Sequence, residues 1–254
     1  MQGRHFVWYE LMTNDVAAAR AFYGGVLGWN SAPAPMEGME YILLTLPEGG
    51  QVGGMMALTG EAAAMGARAG WYGYVSVADV DATAAHAARL GGTVHVAPQD
   101  IPNIGRFAVL GDPQGAVICL FRGIGEMPPP SLREAGRIGW HELLTTDWEK
   151  AFAYYAELFG WQKDTAMDMG PMGTYQLFSA GGDAMGGMFN KPPAVPAASW
   201  LYYFNVGDID AAAQRVTDGG GKILNGPMEV PGGMWIVQCM DPQEAMFALV
   251  GKRG

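Results

Sequence analysis

The chain has 254 residues, half of them hydrophobic, and a formal net charge of −10. That length fits two domains of ordinary size, each with enough apolar residues for a core. The acidic balance and the lack of a basic cluster argue against a nucleic-acid or anionic-membrane partner, and no apolar run approaches the length of a membrane span.

In chain order, Met1 to His5 lead directly into a strand-like segment, His5 to Met12. No signal peptide is expected, and a soluble, cytoplasmic protein is. Asn14 or Asp15 can cap the helix that follows. Val16, Ala19, Phe22, Tyr23 and Val26 recur at helical spacing, and Gly28 fits just past the helix end. Strand runs follow at Tyr41 to Leu46 and Val52 to Leu58. A second round starts at Trp71 to Val77. Asp79 caps a helix running to about Leu90, which Gly91-Gly92 stops. Strands near Val94, Phe107 to Leu110 and Ala116 to Phe121 complete that round, with a turn at Asp112-Pro113-Gln114-Gly115. The Pro- and Gly-rich stretch from Gly123 to Ser131 cannot continue a helix or a central strand, which predicts a linker over 124–136.

The second half repeats the first. Trp8-Tyr9-Glu10-Leu11 returns 132 residues later as Trp140-His141-Glu142-Leu143, and Phe22-Tyr23 as Tyr154-Tyr155. Leu27-Gly28-Trp29 returns as Phe159-Gly160-Trp161. Asp112-Pro113-Gln114 returns as Asp241-Pro242-Gln243, after a drift of three residues. Helices are expected near Asp147 to Leu158 and Asp208 to Asp218, with a last strand at Ala245 to Val250. A long period present twice marks a duplicated domain, since solenoid repeats are shorter and more numerous. The boundaries are 1–123 and 137–254, divided again into modules of about 1–60, 70–122, 137–190 and 199–251. Each module reads as a strand, a helix and about three strands, a grouping that predicts an α+β fold. Cys119 and Cys239 do not occupy equivalent places, so no disulfide framework is expected.

This unit resembles the vicinal oxygen chelate superfamily of glyoxalase I, bleomycin resistance proteins and extradiol dioxygenases. The residues that carry the resemblance are Asp15 through Tyr23, Leu27-Gly28-Trp29, their copies in the second half, and the two Asp-Pro-Gln turns. Val77 to Asp81 and Val206 to Asp210 are similar to the family's helix entry in its second module. The resemblance implies four βαβββ modules forming two domains, each with a cupped mixed sheet whose concave face holds a ligand.

It also implies where a divalent metal would be held: one ligand on a module's first strand, seven residues before the helix-entry Asp, and one on its last strand. The first-strand positions are Trp8, Tyr72, Trp140 and Leu201. The last-strand positions are Cys119, Ala248, and the places near Gly54-Met55 and Gly187-Met188. None is a hard oxygen or imidazole ligand, so the expectation is a site with no metal and no cofactor.

Period-two alternation puts Glu10 on the same strand face as Trp8, and Glu142 on the same face as Trp140. An aromatic wall with a carboxylate beside it suits a small ligand. Core tryptophans with glutamates that tie down a loop are the alternative. Seventeen methionines are present, and Met55, Met172 and Met188 fall where a soft, adaptable pocket wall should be, with gap-filling in the core as the alternative. Tyr72, Phe107, His141, Tyr202 and Trp235 complete the candidate ligand contacts. Arg106 has no counterpart in the second half, where Met234 stands; if it lines a cup, that cup alone could accept an anion. Cys119 reads as a buried structural cysteine, and His86 and His95 as weak candidates.

The leading functional expectation is metal-independent binding of a small apolar or aromatic molecule, similar to sequestration by bleomycin resistance proteins. The alternative is a glyoxalase- or dioxygenase-like lyase or isomerase with Glu10 or Glu142 as general base, or with an unrecognised metal site. A third is one structural half supporting one working half. The expected assembly is a monomer with an internal pseudo-twofold, or a homodimer.

Overall fold

A computed structural model of the chain describes residues 4–36, 40–64, 66–125 and 131–254. The first module comprises β1 (Phe6–Thr13), α1 (Val16–Leu27), β2 (Asn30–Pro33), β3 (Tyr41–Thr45) and β4 (Gln51–Ala57). A short helix, α2 (Gly60–Ala64), leads to β5 (Gly70–Ser76), α3 (Val80–Arg89), β6 (Thr93–Ile101), β7 (Gly105–Gly111) and β8 (Val117–Gly123). The third module is β9 (Ile138–Thr145), α4 (Trp148–Phe159), β10 (Gln162–Asp168), β11 (Thr174–Ser179) and β12 (Ala184–Asn190). The fourth is β13 (Ser199–Asp208), α5 (Ile209–Asp218), β14 (Lys222–Val230), β15 (Met234–Met240) and β16 (Met246–Lys252). This is the α+β series of four βαβββ modules.

Two eight-stranded mixed sheets result, in the orders β2-β3-β4-β1-β5-β8-β7-β6 and β10-β11-β12-β9-β13-β16-β15-β14. In every module the first and last strands pair in parallel, and the hairpins between them are antiparallel. The four long helices begin at the expected aspartates. Asp15 accepts from the Ala18 N–H, Asp79 from Ala82, Asp147 from Lys150, and Asp208 from Asp210 and Ala211. Each carboxylate satisfies helix donors that have no partner within the helix. Gly28 and Gly160 end α1 and α4 in the left-handed region, at φ 74° and 71°.

Two strands lie outside the sequence reading. β2 and β10 are edge strands and are mostly exposed, so no apolar alternation marks them. Residues 126–130 of the predicted linker lie outside the described residues.

By density of contacts the chain divides into two compact units that do not follow the sequence halves. One comprises Met1–Val7, Tyr72–Pro130 and Trp140–Leu201; the other comprises Trp8–Trp71, Ser131–Gly139 and Tyr202–Gly254. The first unit thus packs module two with module three, and the second packs module one with module four. Both are built around the same buried chain of hydrogen bonds. In the first, the Trp200 indole N–H donates to the Tyr155 hydroxyl at 3.2 Å, and that hydroxyl donates to Asp112 at 3.0 Å. In the second, Trp71 donates to Tyr23 at 2.9 Å, and Tyr23 to Asp241 at 3.0 Å. Each aspartate also accepts two backbone N–H groups of its own turn, Gln114 and Ala116 or Gln243 and Ala245. Burial pushes both carboxyls above the usual carboxylate range, and these hydrogen bonds offset part of that rise. The Asp-Pro-Gln turn is therefore a tie between a turn of one module and the helix of another.

Candidate functional site

The register of β1 decides which side chains face away from the helices. Tyr9, Leu11 and Thr13 are buried, whereas Trp8, Glu10 and Met12 alternate with them and are partly open. β4 runs parallel to β1 with Glu10 beside Gly54 and Leu11 beside Met55. β3 is antiparallel to β4, with Leu43 opposite Gly54 and Tyr41 two residues before it. The Tyr41 side chain lies across Gly54, where any Cβ would collide with its ring and hydroxyl. Glycine is required there because no larger residue lets the phenol through. The hydroxyl accepts from the Trp8 indole N–H at 2.9 Å and is hydrogen-bonded to Glu10. Burial, first, and the Glu10 charge, second, hold this phenol far above its ordinary pKa.

The third module builds the same cluster again. Glu142 lies beside Gly187 and Leu143 beside Met188. Tyr175 crosses Gly187, where a Cβ would collide with its ring. The Trp140 indole N–H donates to the Tyr175 hydroxyl at 2.8 Å, and that hydroxyl donates to Glu142 Oε2 at 3.0 Å. Glu142 is 6% exposed, whereas Glu10 is half-buried.

The family model of the glyoxalase/bleomycin resistance protein/dioxygenase superfamily matches residues 5–120 and 137–249. The chain belongs to this superfamily. Among its relatives is CFP32 of Mycobacterium tuberculosis, a provisionally assigned glyoxylase, 32% identical over 96% of this chain and 93% of its own. The anthracycline biosynthesis protein DnrV of Streptomyces peucetius is 28% identical, over 97% of this chain and 92% of its own. Solved structures of the same fold include the 2,3-dioxygenase LapB from Pseudomonas sp. KL28, with a TM-score of 0.67 at 13% identity, covering 100% of this chain and 94% of that one. The Mn(II)-bound glyoxalase from Novosphingobium aromaticivorans also gives 0.67 at 13% identity, covering 99% and 83%.

Superfamily enzymes of the metal-dependent kind gather several hard ligands. Among the described residues of this member, no three His, Cys, Asp or Glu side chains come together in a way that could hold a metal ion. Trp8 and Trp140 occupy first-strand positions, with one carboxylate beside each. One carboxylate with a phenol and an indole is not a donor set for a divalent ion.

The remaining candidates separate by face. Met55 and Met188 are fully buried beside Leu11 and Leu143, on the side opposite Glu10 and Glu142, so their role is core packing. His141 is buried as well. It stacks on Phe6 at 4.1 Å, its Nδ1 lies 2.6 Å from the Met185 carbonyl, and burial pushes its pKa down to about 4. Tyr202 is buried edge-on against Tyr9. Strand alternation explains Met55, Met188 and His141, each one step from a residue of the cluster face, whereas Tyr202 lies in a run of β13 that is buried throughout. Tyr72 is half-buried between the core residues Trp71 and Gly73, and Phe107 sits half-buried opposite Phe121. Met172 is 53% exposed, at the end of the short 3-10 helix Gly170–Met172 before β11.

Arg106 is tied down by Asp81, Asp100 and the Pro98 carbonyl, so it does not present its charge to a ligand. Its counterpart by register is Trp235: Arg106 faces Arg122, and Trp235 faces Gly251. The Arg253 guanidinium covers the Trp235 ring at 4.4 Å. Cys119 and Cys239 are buried, and burial pushes the Cys239 thiol up to about 12. His95 is exposed, and His86 lies 3.7 Å from Glu157.

Sequence reasoning missed Tyr41 and Tyr175. They lie 33 and 35 residues beyond their tryptophans, so the repeat count does not superpose them. The signal that could have found them is a Gly-Met pair on the last strand facing a strand with tyrosine at its first or second residue.

Proposed function

We propose that this protein binds a small, flat, largely apolar or aromatic molecule on its Trp-x-Glu strand faces without recruiting a metal, in the manner of a sequestering protein. The observation that carries this reading is the Trp–Tyr–Glu cluster, built twice from different residue spacings on the strand face turned away from the helices. An indole whose edge N–H is fixed by a phenol offers a preset aromatic wall, and the carboxylate adds a polar anchor. The relatives support the same direction. One is named for anthracycline biosynthesis, and anthracyclines are flat fused-ring compounds.

The test is calorimetric titration of the full chain with a planar aromatic probe such as 2-naphthol. Trp8→Ala and Trp140→Ala should each weaken binding by about tenfold at one cluster, since a buried aromatic contact contributes on the order of 1–2 kcal/mol. Unchanged affinity in both variants, or dependence of binding on a chelatable divalent ion, overturns the reading. A second reading is favoured by the burial of Glu142: a carboxyl shielded from water can act as general base in a cofactor-free lyase or isomerase reaction. Glu142→Gln would then abolish turnover while leaving binding in place.

A further inference from the structure

We infer that the two Trp–Tyr–Glu faces select ligands of different shape, and that Phe189 and Met56 are the residues that set the difference. The face of the third module prefers a flat aromatic ring system, whereas the face of the first also takes a puckered, saturated one. The inference rests on the binding reading above and adds the class of ligand that each face takes.

Strand register carries it. On β12, Phe189 follows Gly187 by two residues and lies beside Leu144 of β9, so it shares the face on which Tyr175 crosses Gly187. Its ring stands 5.5 Å from the Tyr175 ring, tilted by 40°. The Tyr175 hydroxyl accepts from the Trp140 indole at 2.8 Å. Trp140 and Phe189 are both partly open, and the buried phenol links them. In the first module Met56 takes the place of Phe189. It follows Gly54 by two residues, lies beside Met12 of β1, and stands opposite Tyr41 of β3. Met12 and Met56 are partly open, whereas Leu144 is buried. Met167 stands opposite Tyr175 on the edge strand β10, two strands farther from Trp140 than Phe189, so it borders the outer end of that face.

The polar cluster is thus the same in both modules, and its apolar neighbours are not. The core does not impose this difference: the fully buried neighbours Met55 and Met188 are both methionine, and the residues that differ reach the surface. Fixed rings set at angles accept another flat ring through offset or edge contacts, which favour it beyond the area buried. A puckered ring leaves gaps against them, and each gap forfeits dispersion contacts. Methionine has three rotatable bonds and a polarizable sulfur, so Met12 and Met56 can close on either shape.

The experiment compares 2-naphthol with decahydro-2-naphthol, which has the same carbon skeleton and hydroxyl but no flat ring, by calorimetry on the full chain. Trp8→Ala leaves the third module's face as the tighter site, and Trp140→Ala leaves the first module's. The ratio of affinities, 2-naphthol over its saturated analogue, should be about fivefold larger at the third module than at the first, as expected for one added aromatic pair. Hydration of the probes cancels, because both faces meet the same two molecules. Phe189→Met in the Trp8→Ala background should lower the ratio to the first module's value. Met56→Phe in the Trp140→Ala background should raise it by about threefold or more. A role of Phe189 limited to packing would weaken both probes alike and leave the ratio in place. Equal ratios at the two faces, or a ratio that a folded swap variant leaves unchanged, overturn the inference. If 2-naphthol binds, and Trp8→Ala and Trp140→Ala weaken it, while the ratios agree, only the difference in selectivity has failed. If 2-naphthol does not bind, the binding reading falls with it.

Discussion

The two compact units solve the same electrostatic problems with different residues. In the first, Asp81 in the opening turn of α3 is held by Arg106 from β7. In the second, the matching Asp210 on α5 is held at 2.7 Å by Arg253, which follows β16, and Trp235 fills the place of Arg106 beneath it. The helix ends differ in the same way. Arg4 donates to the Leu158 carbonyl at the end of α4, whereas Arg215 of α5 donates to the Val26 carbonyl near the end of α1. A cation at a helix C-terminus complements the exposed carbonyls and the dipole. The interaction is kept while its donor moves to a different element: from β7 to the residue after β16 in one case, and from the segment before β1 to α5 in the other. Comparing the repeats by residue type alone therefore misleads, as it did in giving Arg106 to a ligand.

What does not move between the units is the Trp→Tyr→Asp chain, and breaking it should give the largest effect. Asp112→Ala strands three donors: two backbone N–H groups and the Tyr155 hydroxyl. Asp241→Ala strands the matching three. Each variant should lose about 3–5 kcal/mol, or roughly 10 °C in Tm for a chain of this size. Calorimetric scans would read it. If the units are equivalent, the two losses agree within about 1 kcal/mol; a much smaller loss in one marks that unit's turn as dispensable.

His141 breaks the symmetry in a way pH can expose, because Tyr9 stands in its place in the other half. Burial holds its folded pKa at about 4, below the ordinary imidazole value of 6.5. The unfolded chain therefore takes up a proton first as pH falls. The stability it lends at neutral pH is lost between 6.5 and about 4, to a total of roughly 3 kcal/mol. Asp112 and Asp241 act with the opposite sign. Their raised folded pKa means that the folded state holds those protons more tightly, which adds stability as pH falls toward the ordinary carboxylate value. His141→Phe should therefore flatten the acid side of the stability curve, with urea unfolding at pH 7.5 and 5.0 as the measurement. The same change in stability between those values in wild type and His141→Phe would show that His141 titrates normally.

Much of this was legible before any coordinates. The aspartate caps, the glycine stops, the helices and the duplicated modules all follow from local chemistry that one segment carries by itself. β2 and β10 were not legible because edge strands need bury nothing. The candidate site was legible at Trp8, Glu10, Trp140 and Glu142, where alternation along a single strand is enough. Tyr41 and Tyr175 depend on the pairing of three strands, and Met55 and Met188 on which face of β4 and β12 turns to the core. Neither can be read along one segment. The pairing of module one with four and of two with three was likewise hidden, since its ties run between residues as far apart as Tyr23 and Asp241.

The smallest effect should come from the guanidinium that moved. Arg253→Ala removes an exposed ion pair and the cover over the Trp235 ring. Exposed ion pairs contribute little, and a cation over an exposed indole adds about 0.5–1 kcal/mol, so the loss in Tm should be only a few degrees. Arg106→Ala removes ion pairs without an aromatic beneath, all of them at the surface. Its loss should be smaller still and should fade in 1 M salt, which screens exposed charges to about 3 Å. The Arg253 loss should persist in part, because dispersion and desolvated contact with the indole survive added salt. Equal losses that both vanish in salt would mean that Trp235 fills space without contributing to the tie, and that the two units differ there in residue identity alone.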